Sequence, residues 1–106
     1  MAGIKALPAP TDTLETVIGL VATKFALSVD DLIGRKRDKE TAQARQVAMY
    51  VIRQRGGCSL SDIGSALGGR NPSTVSHACE KVAEDISNSH ILRRKVEEIQ
   101  KNLSGK

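Results

Sequence analysis

Aromatic residues are almost missing from this chain: Phe25 and Tyr50 are the only two, and there is no tryptophan. Domains that hold single strands by stacking bases on exposed rings need several aromatics, so the composition argues against that class. The core has to be built from Leu, Ile, Val and Ala, which suits packed helices. Cysteine is scarce too. Cys58 and Cys79 are the only ones, and without a signal-like apolar run they read as reduced thiols of a cytosolic protein. His77 and Cys79, two positions apart, point to different sides of a helix and make a poor metal pair, so no metal is expected. No stretch is long and apolar enough to span a membrane. Also missing is the Gly-x-x-x-x-Gly-Lys-Ser/Thr loop that cradles nucleotide phosphates; Gly68-Gly69-Arg70 resembles it only superficially and has no lysine. No Ser-His-Asp pattern is recognisable either, and no enzyme is expected.

What is present bounds the chain to one domain. It has 106 residues, 40% of them hydrophobic, enough for one packed core and no second unit. The opening residues MAGIKALPAP read as a flexible leader over 1–10, which leaves 11–106 for the domain. The net charge is only +4, but it is concentrated. Residues 35–55 carry seven basic groups (Arg35, Lys36, Arg37, Lys39, Arg45, Arg53, Arg55) against Asp38 and Glu40, while residues 1–34 are net acidic. A concentrated basic stretch suits a polyanion better than scattered lysines do, although a solvated basic face gives the same count.

Hydrophobic periodicity predicts helices throughout. The first runs over 12–25, with Leu14, Val17, Ile18, Val21 and Phe25 on one face and Thr11 as N-cap. A short one spans 29–33, opened by Ser28 with Asp31 and closed by Gly34; Leu32 and Ile33 are expected to plug the core. After a polar loop at 35–39, a third runs over 40–54, with Ala44, Val47, Ala48 and Val51 inward and Arg45 and Arg53 outside that face. The fourth, 60–67, opens on Ser59 with Asp62. The fifth has Asn71 as N-cap and Pro72 at its first position and runs to 87, burying Val75, Ala78, Cys79, Val82 and Ile86. The last, 91–103, carries Ile91, Leu92, Val96, Ile99 and Leu103. The expected fold is all-α, a compact bundle of about six helices.

The short fourth helix, the Gly68-Gly69 turn and the longer fifth helix have the layout of a helix-turn-helix, whose second helix enters the major groove by its amino end. That end offers first-turn N–H groups, the short polar side chains of Asn71, Ser73 and Thr74, and the charge of Arg70. Glycine-linked helix pairs also occur in proteins that never touch DNA, so the layout alone does not decide.

Several segments resemble the DNA-binding domain of the bacterial replication initiator DnaA. The run Leu67-Gly68-Gly69-Arg70-Asn71-Pro72-Ser73-Thr74-Val75-Ser76-His77-Ala78-Cys79 is similar to the family's Gly-Gly-Arg-Asp-His-Thr/Ser-Thr-Val followed by His-Ala. Asp31 to Arg37 resembles its basic loop, Ala44 to Tyr50 the helix after it, and Ser59 to Gly64 the first helix of the motif. The likeness runs in order from about residue 12 to residue 103. It implies a Trp-repressor-like bundle that binds DnaA boxes at replication origins.

The implied roles fall on named positions. Arg37 takes the place of a minor-groove arginine in the loop. Asn71, Pro72 and Ser73 stand where bases are read in the major groove. Thr74, Arg45, Gln46 and His77 match positions at or near the phosphate backbone, as does Leu60 at the start of the supporting helix. Arg35, Lys36, Arg70 and Lys81 complete the candidate contacts. The family's Asp-His is here Asn71-Pro72. An Asn donates as well as accepts and can pair with adenine, whereas Pro offers no donor, so base preference is expected to be weakened or altered. Family members carry an upstream ATPase domain that would bind ATP; no cofactor is expected in this chain. A cytoplasmic setting on the nucleoid is implied, and with no coiled-coil seam evident a monomer in isolation is expected. A free-standing regulator on the same fold, or a module that docks an acidic protein surface, remains open from the residues alone.

Overall fold

The computed structural model describes residues 10–104, with side chains from Leu14 to Leu103. Six helices follow in order: α1 (Pro10–Lys24), α2 (Val29–Ile33), α3 (Lys39–Arg55), α4 (Leu60–Ala66), α5 (Pro72–Asn88) and α6 (His90–Ser104). Among the described residues there is no strand. Residues 1–9 of the expected leader lie outside the described residues, and Pro10, assigned to it, already begins α1. Thr11 is therefore inside the helix and is not its cap. Proline tolerates a first-turn position because its missing N–H has no helical acceptor there.

Helix α3 is the hub and packs against each of the other five. Its Ala44, Val47, Ala48, Val51 and Ile52 meet Val17 and Val21 of α1, Phe25 just after it, Leu32 of α2, Ile63 of α4, Val75, Ala78 and Val82 of α5, and Leu92, Val96 and Ile99 of α6 in one core. The small alanines let neighbouring backbones approach, while the branched side chains fill the gaps. Lys24 pairs with Glu98 at 2.7 Å, and Lys95 lies over the Phe25 ring, which ties α6 to α1.

The expected starts of α2, α4 and α5 are realised by their caps. Ser28 with Asp31 and Ser59 with Asp62 form reciprocal capping boxes, and Asn71 accepts from the Thr74 N–H. Three residues assigned by periodicity fall elsewhere. Ile33 and Ile91 are exposed, and each sits at a helix end. Arg45, expected outside the apolar face of α3, is buried at 7% exposure. The carboxyl end of α2 and the loop after it turn toward it and supply carbonyl partners, which a count of apolar residues does not register.

Candidate nucleic-acid interface

The geometry begins at Gly64, in the last turn of α4. Its carbonyl accepts from the N–H groups of Leu67, Gly69 and Arg70, which folds the chain back sharply. A side-chain carbon at Gly64 would stand 1.9 Å from the Arg70 carbonyl oxygen, so only glycine admits this turn. Gly68 follows at φ +90°, and a side chain there would meet the Ile33 carbonyl at 2.3 Å. The turn between α4 and α5 therefore rests on the end of α2, and with it on the root of the basic loop.

Two arginines complete that junction. Arg45 donates from Nε to Leu32 O at 2.7 Å, and from Nη2 to Asp31 O at 3.1 Å, Lys36 O at 3.1 Å and, more weakly, Gly34 O at 3.5 Å. Arg70 donates from Nη2 to the same Gly34 O at 2.9 Å and from Nη1 to Leu67 O. Burial, together with the neighbouring Arg70 charge, pulls the Arg45 guanidinium below its ordinary value. Beyond the junction Arg35, Lys36 and Arg37 are exposed. Asp38 then caps α3, accepting from Thr41 N–H and hydroxyl, and these bonds hold its carboxyl below the usual carboxylate value.

A groove runs along α3 between this loop and α5. One part, of about 310 Å³, is lined by Ala42, Arg45, Gln46, Met49, Arg70, Thr74, His77, Ala78 and Lys81. The adjoining part, of about 620 Å³, is lined by Ile33 to Arg37, Ala42, Arg45, Gly68 and Arg70. These walls carry six cationic side chains and no carboxylate. The concentration raises the local potential well beyond what the net charge suggests.

The groove brings together nine of the residues singled out from the sequence: Arg35, Lys36, Arg37, Arg45, Gln46, Arg70, Thr74, His77 and Lys81. Asn71, Pro72 and Ser73 follow directly on Arg70 and are exposed. Leu60 is apart from the groove walls, half-buried against the core at the start of α4. Sequence reasoning did not single out Ala42, which lines both parts of the groove; it lies one turn before Gln46 on α3, and that spacing was the available signal. Lys81 is held by Asp85 at 3.0 Å.

The amino end of α5 is less open than first-turn reasoning implies. Pro72 has no N–H, and the Thr74 N–H and hydroxyl both bond Asn71 Oδ1, at 3.0 and 3.1 Å. The Asn71 acceptor is thus occupied, and its Nδ2 hydrogens are what it offers outward. A pairing with adenine that used both the oxygen and the amide hydrogens of Asn71 would compete with this cap. Among the described residues no three His, Cys, Asp or Glu side chains gather as a metal site. Burial raises both cysteine thiols, which keeps them protonated and poor nucleophiles.

The family described as Bacterial dnaA protein helix-turn-helix matches residues 14–82. The chain belongs to this family. Chromosomal replication initiator proteins DnaA of Oenococcus oeni and Chlorobaculum tepidum are 39% identical over 94 residues and 40% identical over 91, covering 89% and 86% of this chain. It spans only about a fifth of their length (21% and 18%). A solved structure described as a DNA replication initiation factor superposes with a TM-score of 0.74 at 29% identity, over 88% of this chain and 30% of that one. The DnaA-family match includes the loop, α3, the turn and most of α5, all the elements that form the groove.

Proposed function

We propose that this DnaA-family domain binds double-stranded DNA sequence-specifically, at a DnaA box or a variant of one. The amino end of α5 enters the major groove, and Arg37 of the loop enters the adjacent minor groove. The observation that carries this reading is the groove itself: six cations without a carboxylate, between the basic loop and the exposed start of α5. Arg35, Lys36, Gln46, Thr74, His77 and Lys81 hold the phosphate backbone, and Lys81 exchanges Asp85 for a phosphate. Asn71 and Ser73 meet base edges, and Pro72 sets the approach without donating. Leu60 marks the start of α4, where the supporting helix passes the backbone. The domain recognises and does not catalyse; in longer family members ATP is handled by a separate upstream domain. Its setting is the cytoplasm, on nucleoid DNA.

Selection from random duplexes, followed by sequencing of those retained, tests this. One enriched motif related to the DnaA box is the expected result, lost when Arg37 and Lys81 are both changed to alanine. Retention of no duplex even at low salt contradicts the proposal.

A further inference from the structure

We propose that Arg45 is a positioning residue, which sets the basic loop at a fixed place beside α5. Its side chain is only 7% exposed. Nε and Nη2 bond carbonyls of Asp31, Leu32, Gly34 and Lys36, which leaves Nη1 for the groove that Arg45 lines. Two of those carbonyls belong to the end of α2, a helix of five residues. So short a helix leaves its last carbonyls without helical partners and cannot persist alone, and a cation at its carboxyl end answers both deficits. The bond to Lys36 O is the one hydrogen bond that ties residues 35–37 to the rest of the domain among the described residues. Arg70 grips Gly34 O from the other side and Leu67 O in the turn, so α3, the loop root and the start of α5 form one connected unit. The loop is thereby ordered before any ligand arrives, and Arg37 meets DNA without the cost of fixing its backbone at that moment.

Lysine separates the two roles. It keeps the charge that a phosphate ligand needs, but one nitrogen cannot span carbonyls from Asp31 to Lys36 as a planar fork does. The consequence for binding rests on the DNA reading above; the order of the free loop does not. Arg45→Lys and Arg45→Ala are compared with the parent by backbone nitrogen-15 relaxation without DNA and by binding to the selected and a scrambled duplex. The expected result is lower order parameters at residues 35–37 in both variants, with α5 as rigid as in the parent. Preference for the selected duplex then falls about tenfold in both, the weight of one lost base contact. Parent-like binding and loop order in Arg45→Lys would overturn the proposal, as would unchanged loop order in Arg45→Ala. Failure of the parent to bind any duplex counts against the DNA reading alone, because the relaxation data still decide the loop.

Discussion

Asn71 caps α5 with its oxygen and turns its amide hydrogens outward. Such a group pairs with a base that presents an acceptor in the major groove, as guanine does, and not with cytosine, which presents only a donor there. Asn71→Asp keeps the cap, since aspartate serves equally well, but turns the outward group into an acceptor. The expected outcome is an inverted preference at one base pair, toward cytosine or adenine, by roughly 1–3 kcal/mol. Competition binding with single-position variants reads it, and an unmoved preference would confine Asn71 to its cap. Asp38 yields a second test. Its carboxyl is held low by the Thr41 bonds, so the charged cap contributes stability at neutral pH. That contribution fades as acid takes pH down through its folded-state value, below the ordinary carboxylate range. Carbon-13 titration of the Asp38 carboxyl checks the direction; Asp38→Asn should lose this pH dependence. At this scale the sequence was readable where a side chain bonds its own neighbourhood, as at Ser28, Ser59 and Asn71. Arg45 was misplaced because its partners lie nine to fourteen residues away, on backbone carbonyls that carry no sequence mark.

Two helix ends carry predictions of the opposite sign. Helix α1 closes with Leu27 N–H on Ala22 O and Ala26 N–H on Thr23 O, which places Ala26 at φ 56°. That left-handed position suits glycine, and Ala26→Gly should stabilise the domain by about 1 kcal/mol, read as a higher melting temperature. Gly64→Ala works the other way. Intrinsic helix preference favours the alanine by about 1 kcal/mol. The 1.9 Å approach to the Arg70 carbonyl reverses that, since the turn must open to admit the carbon. A net loss of about 1–2 kcal/mol is expected, with weaker duplex binding because the start of α5 shifts. Element type and order were legible because caps, glycines and apolar spacing agree. What did not follow from spacing was the reason for Gly64, which depends on a contact six residues ahead.

On the scale of the molecule, the basic stretch seen in the sequence divides in two. Arg35, Lys36, Arg37 and Arg45 line the groove, whereas Arg53 and Arg55, at the far end of α3, do not. Charge counting along the chain cannot make that division; the packing of α3 against α5 does. With Arg45 and Arg70 largely engaged by carbonyls, Arg35, Lys36 and Lys81 are the cations that meet phosphates, and Arg37 adds its charge in the minor groove. Duplex affinity should therefore fall with a log–log salt slope of about −3 to −4. A slope near zero would place the charges away from DNA. The most direct test of the whole account is an NMR titration of the domain with a selected duplex. Amide shifts should concentrate at residues 35–37, 71–77 and 81, leaving the exposed faces of α1 and α6 unmoved. Shifts centred on α6, with the groove undisturbed, would contradict it.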